Sequence, residues 1–447
     1  MKIRIRIVQM SIILFNGILS VLYFFLKLFP TKNGKVLFCS RQSNEPPLDF
    51  MMIKDEIDKQ RKGTEFVMIC SRLDKSFKGC ILFFVKMVRS MYHLATSSVC
   101  IVDSYWPAVS MLRHKKGLKI IQIWHSIGKM KKSGYQSLGK RSGRRKEFAG
   151  YLKMHNNYDY LIGGAPVWNR YYAEAFNIDE SKILNYGLPR IDYLIKTQYS
   201  NRIKFFKQFP ELKNKKIVLY APTFRKNMKS HWQDILRSSI YDDIILIIKQ
   251  HPGQSVTVSR EGKNIYYMND WKSLDLISVC DYIITDYSSI ALEAAVLKKK
   301  TMFWTYDFDE YMENNGINID LKKEMSGNMS EDINEIMFRI ENDIYDENQQ
   351  EKYIEKYLPA EIGNSTGKIA GLVVSLINEQ QTEQVPVREN MRDEVRDNGR
   401  RQGKPMETPL WNSQTLSGGG WRTLDMQDDQ ASSYGDIGEI RDNRNIS

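Results

Sequence analysis

From Lys35 onward the chain alternates short, almost continuously apolar runs with stretches of helical period. The first five runs are KVLFCS (35–40), EFVMICS (65–71), SSVCIVDS (97–104), LKIIQIWHS (118–126) and YDYLIGG (158–164). Runs that are apolar on both faces, with a helix's worth of residues between them, predict parallel strands covered by helices. A second series repeats the pattern: KKIVLYAPTFR (215–225), DIILIIKQHP (243–252), KNIYYMN (263–269), CDYIITDYSS (280–289) and KTMFWTYD (300–307). The chain therefore reads as two tandem α/β domains with parallel sheets, at 31–200 and 201–378. They join near GLPRIDYLIKTQYSNRIK (187–204), where a Gly-Leu-Pro turn enters a polar, helix-prone connector.

Both ends depart from this pattern. Residues 7–26 (IVQMSIILFNGILSVLYFFL) carry no charge and follow Lys2, Arg4 and Arg6, so 1–30 is expected to be a membrane-associated helix. No small-residue cleavage site follows, which argues against a removable signal peptide. On a helix, Lys2, Gln9, Asn16, Ser20 and Lys27 fall within about 40° of one another, a narrow polar stripe that suits a helix lying in the membrane interface. A single span with its basic end inside would export everything behind it, so in-plane attachment to the cytoplasmic face is expected, with a spanning anchor as the alternative. From 379 to 447 Gly, Gln, Asn, Asp and Arg dominate, apolar periodicity ends, and a disordered polar tail is expected.

Composition narrows the class. With 447 residues, 42% of them hydrophobic, the chain has ample material for real cores, which excludes wholesale disorder and a disulfide mini-scaffold. The formal charge is +12, and the residues from Glu379 on hold 13 acids against 9 bases, so the folded part is more basic still. Such a body suits an anionic partner, either a phospholipid surface or a phosphate-rich substrate. No recognised nucleic-acid module is present, so nucleic acid is not expected. Cys39, Cys70, Cys80, Cys100 and Cys280 are odd in number and form no CxxC or Cys/His cluster, which fits reduced thiols without structural zinc.

Open α/β sheets hold ligands at the carboxyl ends of their strands, so the polar residues just past each apolar run are the candidates. Of the six histidines only His125 (IQIWHSIGKMKKSGY) and His251 (ILIIKQHPG) stand there, at equivalent places in the two domains, suited to proton transfer in a shared cleft. ITDYSSIALEAAVLKKK (284–300) reads as strand, tight turn and helix. Ser288 and Ser289 would cap that helix in front of free amides able to hold phosphate, and Glu293, a turn in, would reach ribose hydroxyls. Thr223 and Arg225 of APTFR, and Arg190 of GLPRID, follow strand-like runs, where arginine grips phosphate bidentately. Nine Lys or Arg lie between Lys129 and Lys153 with Glu147 the only acid. Lys129, Lys131 and Lys132 open what reads as a mobile basic loop for a polyanion or a lipid surface. Each residue also has a plain structural role: a hydrogen-bonded histidine, a capping serine, a solvated arginine. Walker, GxGxxG, GxSxG, HExxH and zinc-finger spacings are absent, and neither metal nor cofactor is expected.

In order, IWHSIGKMKKSGY, GLPRIDYL, YAPTFRK, IKQHPG and CDYIITDYSSIALEAAVLKKKTMFWTYDFDEY resemble the CDP-glycerol:poly(glycerophosphate) glycerophosphotransferases, the teichoic-acid primases and polymerases of Gram-positive bacteria. The resemblance covers 35–375, and its last motif is the most specific. It implies a GT-B-like fold of two Rossmann-like domains facing a cleft, and peripheral attachment to the cytoplasmic membrane face. It also implies transfer of phosphoglycerol or phosphoribitol from CDP-glycerol or CDP-ribitol to a hydroxyl of a lipid-linked glycopolymer, with release of CMP. His125 would then be the base, and His251 would steady the phosphoryl group. Thr285, Asp286, Ser288, Ser289 and Glu293 would bind the donor. Ser126 stands where many members have glycine, which puts the acceptor side in question. Two other readings stand beside it: a GT-B glycosyltransferase using a sugar nucleotide, and a non-enzymatic, basic membrane-bound adaptor.

Overall fold

All ten apolar runs form strands in the computed structural model, which describes residues 2–384 apart from 75, 142, 224–232, 239, 250–263 and 269. The first sheet comprises β1 (Lys35–Ser40), β2 (Glu65–Cys70), β3 (Val99–Val102), β4 (Lys119–Gln122), β5 (Tyr160–Ile162) and β6 (Ile183–Leu184). Its spatial order is β2-β1-β3-β4-β5-β6, with every neighbour parallel. The second comprises β7 (Lys216–Tyr220), β8 (Ile244–Ile248), β9 (Ile265–Tyr267), β10 (Tyr282–Thr285), β11 (Lys300–Trp304) and β12 (Met329–Ser330). It runs β12-β11-β10-β7-β8-β9, again parallel throughout. Read from its other edge, this is the doubly wound order in which the third strand of the domain lies outermost and the first meets the fourth. The interior strands β1, β3, β8 and β10 are buried at every position, which is why they read as unbroken apolar runs. The edge strands β6 and β12, two residues each, are too short to leave a pattern.

Strand order reverses between β1 and β3 in the first sheet and between β7 and β10 in the second. Each reversal opens a crevice at the strand ends, because the connections on either side depart in opposite directions. The helix Pro189–Gln208 carries the chain from one sheet to the other, started by a proline that needs no amide partner there. Its Tyr193 hydroxyl donates to Asp275 Oδ1 at 2.8 Å, fixing it to the second domain.

The closing helix, Ser365–Gln384, differs from the sequence expectation, which counted it with the second domain and ended the fold at 378. It packs on α2 (Leu48–Gln60) and buries Ile369, Ala370, Val373, Leu376 and Ile377 in the core of the first. Asp192 of the connector caps its start, accepting from Ser365 N at 3.0 Å and Thr366 N at 2.7 Å. Near its end Gln380 donates to Gly117 O at 2.7 Å, so a boundary at 378 cuts through an anchored helix. Proximity in sequence suggested the wrong host; the apolar stripe is satisfied only by crossing back.

α1 (Lys2–Leu26) is, among the described residues, the one helix long and apolar enough to cross a membrane, judged by length and composition over Ile5–Leu26. Its C-terminal half is fixed to the first domain. Leu19 and Tyr23 are buried in that core, the Tyr23 hydroxyl lies 2.8 Å from His114 Nδ1, and Lys27 donates to Arg113 O at 3.1 Å. Many of its other apolar side chains, Leu14, Ile18 and Phe25 among them, stay exposed, and the helix packs along α3 (Phe77–Thr96).

Candidate functional site

Past the end of β4 the backbone turns sharply. Trp124 has φ 58°, a conformation that costs a bulky residue about 1–3 kcal/mol. Its amide donates to Gln122 Oε1 at 2.8 Å, and its indole lies 3.9 Å, centroid to centroid, from the ring of His125, with Phe176 meeting it edge-on at 5.0 Å. The strained turn thus sets the imidazole against the indole, which Phe176 backs. His125 Nδ1 is 3.1 Å from the Asp103 carbonyl oxygen and 3.1 Å from Gln42 Nε2. With Nδ1–H donated to that carbonyl, Nε2 keeps its lone pair, the tautomer a base requires. Burial, reinforced by the charges of Arg190, Lys129 and Lys131, holds the pKa down at about 3, so the ring is neutral at pH 7. Arg190 Nη1 donates to the His125 carbonyl at 3.0 Å and steadies the turn from behind.

Ser126 has no positive φ, so its place does not demand glycine; its hydroxyl closes the turn on the Gly128 carbonyl at 2.7 Å. Glycine is required two residues later. A Cβ at Gly128 would come within 2.5 Å of Leu292 and 2.7 Å of Trp168, where the second domain presses on the first.

The facing wall comes from the reversal point of the second sheet. Thr285 Oγ1 donates to Ala221 O at 2.8 Å, and both oxygens of Asp286 accept the Thr223 amide, at 2.9 and 3.1 Å. These two side chains join the ends of β7 and β10. The serines behind them do face open space: Ser289 makes no capping bond with its side chain, and Ser288 Oγ is 3.5 Å from Ile290 N. Glu293 is not among the residues that line the cavity between these walls. It is buried against Arg190, Oε1 to Nη1 3.5 Å, and Arg190 is also bound by Asp49, Nε to Oδ2 2.9 Å. Two carboxylates around one guanidinium form an interdomain tie, the outcome for charges that leave water together. His251 and Arg225 lie outside the described residues.

One cavity of about 470 Å³ spans both walls, lined by Gln42, Trp124 and His125 from the first domain and by Thr223, Ser288 and Ser289 from the second. Lys131 and Lys132 border it, but not on a mobile loop. Lys132 N donates to Gly316 O at 3.0 Å, Asn318 N to Met130 O at 2.8 Å, and Lys131 pairs with Ile317, so the segment straps the two domains together. Lys129, expected in solvent, is 2% exposed. Its ammonium lies 4.3 Å from the Trp124 ring centre and 5.0 Å from that of Phe176, and it donates to Ser133 Oγ. Gln42 and Trp124 were not among the sequence candidates. Gln42 was legible by the strand-end rule, two residues past KVLFCS, whereas nothing local marks a tryptophan that must turn left-handed.

Burial lowers the Lys129 pKa to about 7. Between that value and the ordinary one the unfolded chain binds one proton more, so the folded state is penalised at pH 7 and recovers as pH rises toward 10. Lys129→Met is therefore expected to raise the unfolding free energy at pH 7 by on the order of 2 kcal/mol, after loss of the contact to Ser133 and the rings, while turnover falls. Urea unfolding at pH 7 and pH 10 checks this. The gain should shrink at pH 10, and destabilisation at pH 7 would overturn it.

The profile of the CDP-glycerol:poly(glycerophosphate) glycerophosphotransferases matches residues 21–375. Among curated relatives, a teichoic acid ribitol-phosphate primase of Bacillus spizizenii is 29% identical over 341 residues, 73% of this chain and 87% of that protein. A poly(ribitol-phosphate) polymerase of the same organism is 27% identical over 71% of this chain, which spans about half, 52%, of its length. A glycerol-phosphate primase of Bacillus subtilis is 29% identical over 52% of this chain and 62% of its own length. Among solved structures, a variant of the wall teichoic acid polymerase TagF superposes with a TM-score of 0.66 at 16% identity, covering 85% of this chain and 98% of that one. With the expected pair of doubly wound sheets present and most of the chain matched, this protein belongs to the CDP-glycerol:poly(glycerophosphate) glycerophosphotransferase family.

Proposed function

We propose that this transferase moves a phosphoglycerol or phosphoribitol unit from a CDP-polyol to a hydroxyl of a lipid-linked glycopolymer, releasing CMP, at the cytoplasmic face of a membrane. The observation that carries the reading is the single cavity in which a neutral His125 faces Ser288 and Ser289 across the domain boundary. A CDP-polyol supplies a diphosphate for the serine side. The acceptor hydroxyl approaches from the His125 side. Its oxygen bonds to the polyol-bearing phosphorus, the bond from that phosphorus to the oxygen shared with CMP breaks, CMP departs with the electron pair, and the hydroxyl proton passes to His125 Nε2. Negative charge gathers on the phosphoryl oxygens as this happens. By resemblance to the family His251 takes that charge, with Arg225 as a further donor. Relatives named as ribitol- and glycerol-phosphate primases support the donor class, as does a TagF structure soaked with CDPG. α1, apolar and docked along one side, supports attachment in the plane of the membrane.

The test offers the purified full chain CDP-glycerol, CDP-ribitol, a UDP-sugar and a GDP-sugar, each with a lipid-linked acceptor, and measures nucleotide release and product mass. CMP from a CDP-polyol, with the acceptor heavier by one polyol phosphate, is expected. Release of UDP or GDP instead would establish the sugar-nucleotide reading.

A further inference from the structure

A second cavity, of about 350 Å³, lies between α1 and α3 on the first domain. Its walls are hydrocarbon: Ile12 and Phe15 from α1, Phe84 and Met87 from α3, with Met111 and Leu152 beyond them. Arg41 and Arg144 also line it, both beside one aromatic ring, their guanidinium carbons 5.8 and 4.9 Å from the centre of Tyr105. The neighbouring carboxylates are engaged elsewhere. Asp49 and Glu147 pair with Arg190 and Arg145, and Asp103 is held by the hydroxyls of Ser40 and Ser104. Among the described residues neither Arg41 nor Arg144 has a carboxylate in ion-pair contact, and Arg41 Nε is buried without a hydrogen-bond partner. Two guanidiniums without a carboxylate partner beside a hydrocarbon-lined cavity favour an anion that joins them.

Their position in the fold gives this arrangement a direction. Arg41 follows β1 and Tyr105 follows β3, so the pair sits at the reversal point of the first sheet, where an open α/β sheet takes its ligand. A third cavity, of about 300 Å³, begins at Arg41, Tyr105 and Arg144 and ends at Gln42, Trp124 and Ser133. Those last three also line the cavity that holds His125. Shared walls thus connect the apolar cavity, the arginine pair and the base in one line.

We infer that this line is the acceptor path: the hydrocarbon chain of a lipid diphosphate lies between α1 and α3, its diphosphate rests on Arg41 and Arg144, and the attached polyol or sugar extends toward His125. The inference rests on the proposed transfer reaction for the role of its far end, but not for the binding itself. The occupant follows from chemistry. A free phosphorylated sugar would leave the apolar cavity unfilled, and an uncharged lipid would leave the guanidiniums unmatched. The exposed apolar flanks of both helices, Leu14 and Ile18 on α1 and Leu82 and Val85 on α3, place the cavity beside the surface that a bilayer would cover.

Direct binding to the full-length protein tests this without turnover, with farnesyl diphosphate as probe and farnesol and inorganic diphosphate as controls, in the presence of saturating CDP. Farnesyl diphosphate is expected to bind at least about tenfold more tightly than either control, since both halves of the site contribute. Arg41→Gln with Arg144→Gln should weaken it about tenfold or more, with partial rescue by lysine at both places. Met87→Trp, which fills the apolar cavity, should weaken farnesyl diphosphate while sparing inorganic diphosphate. Displacement of the probe by CDP, or equal binding to wild type and the double glutamine variant, would overturn the inference. Loss of affinity in the variants alongside absent CMP release from any CDP-polyol would sink the transfer reaction and leave the lipid site standing.

Discussion

Replacing His125 with alanine is expected to lower turnover of the CDP-polyol by about 10²- to 10⁴-fold while leaving donor affinity within about threefold. A hydroxyl is a poor nucleophile at pH 7, and among the described residues His125 is the histidine that lines the interdomain cavity. Its Nδ1 is engaged by the Asp103 carbonyl, so the nitrogen left to accept a proton is Nε2. Neither Ser288 nor Ser289, on the side of the cavity assigned to the donor, is hydrogen-bonded to this ring, which is why donor affinity should survive. The pH profile carries a further expectation. With a pKa near 3 in the free protein, His125 is already in its basic form across the neutral range, so kcat/KM should show no acid limb near pH 6.5. A bound diphosphate brings negative charge beside the ring and raises that value, which moves any acid limb into kcat. Near-normal CMP release from His125→Ala would return this residue to a structural role. A loss of donor affinity as large as the loss of turnover would place it on the wrong substrate.

How far such a site could be read from residues alone depended on the range of the interaction involved. The interior strands were legible because a strand buried on both faces needs no partner to reveal itself; β1 is buried at all six positions. The strand ends were legible for the same local reason, and His125, Ser288 and Ser289 were found there and do share one cavity. Partner choice was not legible. Arg190 and Glu293 have the chemistry for phosphate and ribose, yet they face each other and Asp49 across separations of 103 and 141 residues. Only the packing of one domain on the other decides between these uses. Lys129 shows the same limit: Gly128, Lys131 and Lys132 around it suggest a solvated loop, but Phe176 closes over it from the end of a distant helix. Arg41 and Arg144 likewise come from ordinary-looking segments that meet only around Tyr105.

The histidines that burial keeps neutral should make the protein acid-labile well above the range where carboxylates usually unfold proteins. Burial holds His114 at about 4 and His125 and His155 at about 3, and His93 is lowered to about 4. For a base with a depressed folded pKa, the unfolded chain binds the extra proton between the folded value and the ordinary one near 6.5. Stability therefore falls as pH drops below about 6.5 and stops falling near 3 to 4. Two carboxyls oppose this. Burial raises Asp103 to about 6, so the folded state takes up its proton first and gains stability between about pH 6 and 4, and burial raises Glu293 in the same direction. With the half-buried His93 discounted, the other three histidines still outnumber the two carboxyls, leaving a net uptake of at least about one proton on unfolding near pH 5, a slope of at least about 1.4 kcal/mol per pH unit. Against a total stability of about 5–15 kcal/mol, a fall from pH 6 to 4.5 is a large fraction of what holds a domain together. Denaturant midpoints at pH 7, 6, 5 and 4.5, with proton uptake measured in two buffers of different ionisation enthalpy, provide the check. His155→Phe should flatten the slope by about 1.4 kcal/mol per pH unit, since its ring already packs among Tyr105, Tyr158 and Phe176. A flat midpoint between pH 6 and 4.5, or unfolding that releases protons there, would mean that these rings are charged in the folded protein and that the cavity around His125 is wet.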